Sequence, residues 1–319
     1  SLETVQADNL SGKRQSAVLC LEALARKAPT LFFVHVEPFF SHIWAGLLDR
    51  QAATRESSAE SLRAVLQLIS VRKTNYSDDW YKSLYLKASS GLDTQSLEIM
   101  HGSLLAMMEI MRKPTALIRT YFEDIVRAIM KLKESKLKED KSGLIRVSVI
   151  ESIPLLAGVN PELFVENHQK EFLKYLLDFT VVDQDRGAAF LSLGKLALAV
   201  SSSNKLKSSY LEATLKAVKS CLTRGKNKIS HLDEVTDCMS LLSEAAGPAL
   251  SQQRYIHDIL PLMFFHGLRE SLGRAVTAMA THVPSLLPDI QERLLNTISM
   301  ILARKSYNDI LTGSESKVD

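Results

Sequence analysis

The chain has 319 residues and a formal net charge of +3, from 39 lysines and arginines against 36 aspartates and glutamates. This length allows about two globular domains or one repeat array. The near balance of charge gives no strong reason to expect nucleic acid or a membrane surface as a partner. Only 13 glycines and 9 prolines occur, and so few helix breakers disfavour strand-and-turn folds and favour helices.

Two amphipathic helices joined by a short proline turn are predicted near the start of the chain. The first, within GKRQSAVLCLEALARKA, has apolar residues at helical spacing, which predicts one buried face. That face contains Ala17, Cys20, Leu21, Leu24, Ala25 and Ala28. Pro29 ends this helix, and the second helix, VEPFFSHIWAGLLDR, has Trp44 on its apolar face. Together they predict a helical hairpin.

The same pattern recurs along the chain. The first helices of successive hairpins are predicted to start near Lys13, Ala52, Thr94, Gly143, Asp183, Ser230 and Glu270. Their spacing is close to the roughly 40–47 residues typical of HEAT and armadillo repeats. Five prolines fall near the turn inside a hairpin: Pro29, Pro114, Pro161, Pro248 and Pro284.

These repeats predict an all-α solenoid of about seven HEAT-type hairpins over residues 13–305. Residues 1–12 are predicted to be an N-terminal flank, and residues 306–319 a polar, disordered tail. Because the chain starts inside the pattern without a polar cap, we expect further repeats before and after it in a longer parent protein.

Two Asp–Arg pairs are expected at turns between hairpins. Asp49 and Arg55 are six residues apart, and Asp140 and Arg146 repeat that spacing at a later boundary. Such pairs can form charge-assisted hydrogen bonds between stacked turns. Because no third group recurs with them, we interpret them as structural contacts between repeats, in preference to a catalytic acid with an anchoring arginine.

The most basic stretch lies at 205–228, where the only acid is Glu212. Its cations are Lys205, Lys207, Lys216, Lys219, Arg224, Lys226 and Lys228. This stretch is a candidate surface for an acidic protein, a phospholipid or nucleic acid, as in a HEAT-repeat adaptor of the transport or nucleic-acid type. Only Tyr210 lies nearby for base stacking, and an ordinary solvated helix face is the alternative.

Several other side chains are expected to serve packing. The four methionines of EIMHGSLLAMMEIM fit one buried stripe better than an adaptable binding surface. Within that segment, Gly102 beside His101 indicates a close approach between helices. The aromatic cluster that includes Tyr81 is predicted to pack against the next hairpin. His35 and His42 are predicted to be interface or partly buried residues.

No pattern of residues points to catalysis. The sequence has no HExxH, GxSxG or GxGxxG motif, and GAAFLSLGK has six residues between its glycines where a phosphate-binding loop has four. The cysteines Cys20, Cys221 and Cys238 lack the spacing of a zinc site or disulfide framework, and Cys20 is predicted to be a core residue. No apolar run reaches the roughly 18 residues of a membrane span. We therefore predict no enzymatic activity, no cofactor and no metal for this chain.

Six blocks of sequence carry a family resemblance. They are APTLFFVHVEPFFSHIWAGLLDRQAATRESSAESLRAVL, SDDWYKSLYLKASSGLD, MHGSLLAMMEIM, LIRVSVIESIPLLAGVNPELF, QDRGAAFLSLGKLALAV, and AAGPALSQQ with LPLMFFHGL. In this order they resemble the N-terminal HEAT region of the target of rapamycin (TOR) serine/threonine protein kinases, over more than nine-tenths of the chain. The segment 131–141 departs from the family, which often has a longer polar insertion there.

The resemblance implies a segment of a kinase that controls growth in response to nutrients, whose kinase, FAT and rapamycin-binding regions lie outside this chain. It implies a scaffold with protein partners: a raptor-like subunit, a Rheb-like GTPase and a second TOR protomer, without nucleic acid or direct membrane insertion. It also implies a cytoplasmic location, with the parent complex recruited to a lysosomal or vacuolar membrane surface. No contact residue for any partner follows from it.

Overall fold

The computed structural model describes residues 2–72, 77–135, 140–201, 206–224 and 230–303, and across these ranges every regular element is helical. The helices are α1 (Leu2–Lys27), α2 (Pro29–Phe32), α3 (Val36–His42), α4 (Trp44–Leu47), α5 (Ala52–Val71), α6 (Ser77–Leu92), α7 (Leu97–Arg112), α8 (Ala116–Thr120), α9 (Phe122–Ser135), α10 (Leu144–Val159), α11 (Pro161–Leu163), α12 (Gln169–Phe179), α13 (Arg186–Ser201), α14 (Ser208–Arg224), α15 (Leu232–Ala246), α16 (Pro248–Ser251), α17 (Ile256–Phe265), α18 (Glu270–His282) and α19 (Leu287–Leu302). Short 3-10 turns at Phe33–His35 and Pro284–Leu286 and a π-helical segment at Phe164–His168 join some of them.

The chain divides into two compact units, Ser1–Asn160 and Pro161–Asp319. In the first unit, α1, α5, α7 and α10 pack side by side in chain order. A second row runs alongside them, in which α6 contacts α3 on one side and α8 and α9 on the other. Each hairpin therefore buries its apolar face against its neighbours in the array, as in a repeat protein.

The second unit repeats this layered arrangement. Its first row is α13, α15 and α18, and its second row is α12, α14, α17 and α19, each helix packing on the next. Large side chains with almost no exposed surface fill the space between the rows: Phe172, Phe190, Tyr210 and Phe264. The predicted all-α class, a helical-repeat solenoid built of stacked hairpins, is confirmed. One continuous array over 13–305 stays a prediction.

The predicted hairpin starts correspond to helix starts in the structure. Six first helices begin within three residues of the predicted positions: α5, α7, α10, α13, α15 and α18. Helix α1 instead begins at Leu2, so the expected flank is largely helical. Gly12 is its weakest point for helix formation, and a glycine is tolerated inside a helix this long. The predicted tail at 306–319 lies outside the described residues.

The prolines in the hairpin turns begin helices there. Pro29, Pro161 and Pro248 are the first residues of α2, α11 and α16, and Pro284 begins a 3-10 turn. Proline is favourable at a first helical position because the N–H that it lacks has no partner in the helix. Pro114 differs, since it precedes a threonine that caps the N-terminus of α8.

Most of the packing predictions are confirmed. The methionine stripe of α7 is buried at all four positions: Met100, Met107, Met108 and Met111. Tyr81 and Tyr85 are buried on α6, and the ring of Tyr85 stacks on that of Tyr121 in the next hairpin, with 4.1 Å between centroids. Trp80 instead lies against Phe40 of the preceding hairpin, with 5.8 Å between ring centroids.

The predicted buried face of α1 is only partly observed. Ala25 is buried as predicted, but Cys20 is exposed, Leu24 is 52% exposed, and Val18, outside the predicted face, is buried. The face that contacts α5 is thus narrower than the apolar stripe and rotated from its centre. His35 and His42 both lie on the exposed side of their segment, so they are not partly buried, and an interface role for them stays a prediction.

Gly102 is a point of close approach, as the sequence predicted. A Cβ atom at this position would lie 2.7 Å from the carbonyl carbon of Leu47 and would overlap the carbonyl oxygen. Helix α7 contacts both α4 and α5. Only a glycine lets the α7 backbone come this near to the end of α4.

Candidate functional site

A buried group of polar side chains lies at the turns between hairpins of the first unit. We call Asp49, Arg55, His101 and Asp140 the turn cluster; each is at most 4% exposed. Arg55 lies in the second turn of α5, His101 in α7, and Asp140 just before α10. The sequence predicted three of these four residues as contacts between repeats.

Arg55 contacts Asp49 through the backbone. Its Nη1 donates to the carbonyl oxygens of Asp49, at 2.8 Å, and of Arg50, at 2.9 Å. The Asp49 carboxylate accepts instead from Arg14 Nη1 of α1, at 2.9 Å, and from the amide of Gln51, at 2.9 Å. Asp49 and Arg55 are therefore in contact, and the Asp49 carboxylate links this turn to α1.

His101 is the residue to which Arg55 also binds. Arg55 Nε donates to His101 Nδ1 at 2.9 Å, so His101 carries its proton on Nε2. Burial, and then the positive charge of Arg55, lower the pKa of His101 to about 4, although Asp140 acts in the opposite direction. This histidine is neutral at pH 7 and its acceptor nitrogen is occupied, so it cannot serve as a general base.

Asp140 caps the N-terminus of α10. Burial alone would raise its pKa, but four hydrogen bonds to the carboxylate lower it below its ordinary value. The donors are the Ser142 hydroxyl at 2.6 Å and the amides of Gly143, Ile145 and Arg146 at 3.0, 2.8 and 3.2 Å. The contact with Arg146 is thus made to its amide. Gly143 adopts a φ of +74°, which favours glycine.

Arg55, His101 and Asp140 line a cavity of about 240 Å³ that is also bordered by Arg50 and Ser142. The charges on its wall balance, because Arg50 and Arg55 are accompanied by Glu98 and Asp140. No nucleophile lies beside a free base in this group. The chemistry that the cluster supports is the positioning of successive turns.

An equivalent arginine contact in the second unit was missed by the sequence reasoning. Arg186 Nε donates to the carbonyl oxygen of Thr180 at 3.0 Å, and its Nη2 to that of Val181 at 3.5 Å. Arg55 likewise binds carbonyls six and five residues earlier. The signal was the spacing from Thr180 to Arg186, which was overlooked because residue 180 is not acidic.

The predicted basic face is only partly described. Lys205, Lys226 and Lys228 lie outside the described residues, and Arg224 is described only as the last residue of α14. Lys219 is engaged by Asp258, at 2.7 Å from Nζ to Oδ2. Lys207 and Lys216 are exposed, with no ion pair to a described residue. The described part therefore presents two available cations, and its role as a docking face stays a prediction.

Helix α19 presents an exposed apolar stripe. Its members recur at helical spacing: Leu287, Leu294, Leu295, Ile298, Ile301 and Leu302. The adjoining face packs on α17, with Ile290 and Met300 buried. Contiguous apolar surface of this kind is typical of protein-interaction sites.

The described ranges contain neither a metal site nor a single membrane-spanning helix. No group of three or more His, Cys, Asp or Glu side chains there is arranged to hold a metal ion. No single described helix is long and apolar enough to cross a membrane. Judged by length and composition alone, the bent pair Leu144–Val159 and Pro161–Phe179 is long and apolar enough when its two helices are taken together.

Stacked helical hairpins with polar contacts at their turns define a helical-repeat protein of the HEAT type. Over its whole length the chain is 32% identical to the serine/threonine-protein kinase tor1 of Schizosaccharomyces pombe. It is 28% identical over 97% of its length to TOR of Arabidopsis thaliana, and 26% identical over 95% to TOR2 of Saccharomyces cerevisiae. The chain is homologous to one part of the TOR serine/threonine-protein kinases, and the resemblance stated from the sequence is confirmed.

The chain spans only 12–13% of the length of these relatives. The similarity is therefore to a small segment of each relative. No protein-family model matches it. Among solved structures, a Kap121p mutant has a TM-score of 0.44 and 13% identity, covering 82% of this chain and 27% of that one.

Proposed function

We propose that the chain is a non-catalytic scaffold segment from the N-terminal helical region of a TOR kinase, acting in nutrient-responsive growth signalling. The observation that carries the proposal is the extent of the similarity: it covers the whole chain at 32% identity and only 13% of the kinase. An array of stacked hairpins presents an extended surface, and repeat proteins use such surfaces to bind other proteins.

The proposed partners are a raptor-like subunit, a Rheb-like GTPase and a second TOR protomer. They follow from the family resemblance, and each is a protein, so the proposal includes neither nucleic acid nor insertion into a membrane. The proposed location is the cytoplasm, with the parent complex at a lysosomal or vacuolar membrane surface. The apolar stripe of α19 supports protein docking, since an exposed row of leucines and isoleucines gains most from burial.

The test is retention of purified raptor on the immobilised chain, with Rheb loaded with GTP in a parallel experiment. We expect raptor to be retained at physiological salt and to be lost with Leu295→Glu, because Leu295 is 68% exposed within the stripe. Asn296→Glu is the matched control: it adds the same charge to an exposed position of the same helix outside the stripe.

Retention of neither protein would contradict the scaffold role proposed for this segment. Equal loss with Leu295→Glu and Asn296→Glu would mean that charge on α19, and not the apolar stripe, weakens docking. Retention that disappears only as salt rises from low to physiological concentration would favour the basic stretch at 205–228, because ionic contacts between exposed groups are screened.

A further inference from the structure

A second cavity in the first unit lies where three helices meet. It has a volume of about 510 Å³ and is lined by the end of α5, the start of α6 and the turn that leads into α8. Ile69, Pro114 and the ring of Tyr81 give it a largely apolar wall. A cavity of this volume is within the range that accepts a small ligand or a large inserted side chain.

The charges at this cavity have one sign. Lys113 and Arg119 are its charged lining residues among those described, and both are exposed. Neither side chain forms a hydrogen bond or ion pair with a described residue. Asp78 and Asp79 follow in the first turn of α6 without forming part of the lining.

Exposed lysines elsewhere in the unit, such as Lys87, also lack an ion pair to a described residue. Lys113 and Arg119 differ from them in position, because both line one cavity that has no acidic side chain among its described lining residues. They leave the cavity with uncompensated positive charge, which attracts an anionic group.

The Tyr81 hydroxyl adds a hydrogen-bond donor to the cavity. Tyr81 lines the cavity and its hydroxyl has no hydrogen-bond partner among the described residues. Burial of the side chain raises the pKa of Tyr81 to about 12, so the hydroxyl keeps its proton at pH 7. It is therefore available to donate to a group that enters the cavity.

We propose that this cavity is a docking site for a partner protein that inserts an apolar side chain next to a carboxylate. The apolar side chain lies against Ile69 and Pro114, while the carboxylate accepts from Tyr81 and pairs with Lys113 or Arg119. One ligand chemistry thus satisfies the apolar wall, the unpaired cations and the unpartnered hydroxyl. The choice of a protein as the source rests on the proposed scaffold function.

The experiment uses two blocked dipeptides as probes, acetyl-Phe-Asp-amide and acetyl-Phe-Asn-amide, with binding to the whole chain measured by saturation-transfer NMR. We expect binding of the aspartate probe and at least fivefold weaker binding of the asparagine probe, since they differ only in the carboxylate. Phenylpropionate, a free acid of similar shape, shows whether a small metabolite is the better occupant.

Three variants test the named groups. Lys113→Gln and Arg119→Gln are each expected to weaken the aspartate probe about fivefold, and Tyr81→Phe about fivefold while keeping the ring. Lys87→Gln is the matched control, since Lys87 is an exposed lysine of α6 outside the cavity lining. Helical circular dichroism verifies that each variant is folded.

Equal binding of the two dipeptides, or no effect of the three variants, would overturn the proposal. Binding of phenylpropionate without either dipeptide would replace the protein partner by a free acid. The outcome is separate from that of the raptor experiment. Charge-dependent binding of the aspartate probe with no retained protein would leave the cavity chemistry intact and refute the scaffold role on which the partner rests.

Discussion

Mild acid is expected to destabilise the first unit through His101. In the folded chain His101 accepts a hydrogen bond from Arg55 at 2.9 Å and is 2% exposed. Burial and the neighbouring guanidinium lower the pKa of His101 to about 4. In the unfolded chain the same side chain has an ordinary pKa of about 6.5. Between these two values the unfolded state binds a proton that the folded state excludes.

The sign and size of the effect follow from this difference in pKa. Because the folded-state pKa is lowered, stability is greatest above pH 6.5 and falls as the pH decreases toward 4. The full shift corresponds to about 3 kcal/mol of unfolding free energy, of which about 2 kcal/mol is lost by pH 5. An Asn at this position can accept from Arg55 through its amide oxygen and does not titrate, so His101→Asn removes the effect while keeping the contact.

The assay is urea unfolding followed by tryptophan fluorescence. The chain has two tryptophans, Trp44 and Trp80, and both lie in the first unit, so their emission reports on the part that contains His101. We expect the midpoint to fall from pH 7 to pH 5 much more steeply in the native chain than in His101→Asn. Parallel curves for the two proteins would refute the reasoning, because the shared slope would then come from other groups.

Three further predictions concern packing and polar contacts. Gly102→Ala is expected to destabilise the chain by about 2 kcal/mol or more because its Cβ would overlap a backbone carbonyl, whereas Gly273→Ala, in open space within α18, should raise thermal stability by up to about 1 kcal/mol. Arg186→Gln should speed hydrogen exchange in the turn before α13 by about tenfold as its carbonyl contacts are lost, with Lys216→Gln as an unchanged control. Glu109→Gln should lower the free energy of unfolding, measured in urea, by about 2 kcal/mol, since this carboxylate is 3% exposed and pairs with two arginines.

The positions of the helices could be predicted because the apolar period and the prolines are local signals. The starts of α5 and α18 coincide with the predicted residues, and α10 differs by one. The orientation of α1 could not be predicted in this way. A helix that contacts an array on one side buries only part of its apolar stripe, and which part depends on the neighbouring helix and not on α1 itself.

The turn cluster was predictable in position and less so in chemistry. A spacing of six located Asp49 with Arg55, but the acceptor for Arg55 is a carbonyl oxygen, which every residue supplies. His101 was recognised only as the neighbour of a close-approach glycine. Its contact with Arg55 joins residues 46 positions apart, and no local pattern specifies such a pair.

A second repeat signal was present and unused. Gly46 faces Ser58, and Gly91 faces Ser103. The two glycines are 45 residues apart, and so are the two serines. A Cβ on Gly91 would lie 2.8 Å from that of Ser103. Small residues at equivalent positions on facing helices therefore set the separation of successive hairpins, and the 45-residue period could have been read from these two pairs.

The two arginine contacts explain how one turn design can recur in repeats of different sequence. Arg55 and Arg186 bind backbone carbonyls, so the turn needs one arginine at a fixed spacing and leaves the residue six positions earlier unconstrained. Asp49 uses that freedom to bind Arg14, whereas Thr180 bonds the carbonyl of its own preceding helix. Stacking geometry is thus kept by the main chain while the side chains of the turns vary. In a scaffold, that separation lets the surface change to suit a partner without loss of the array.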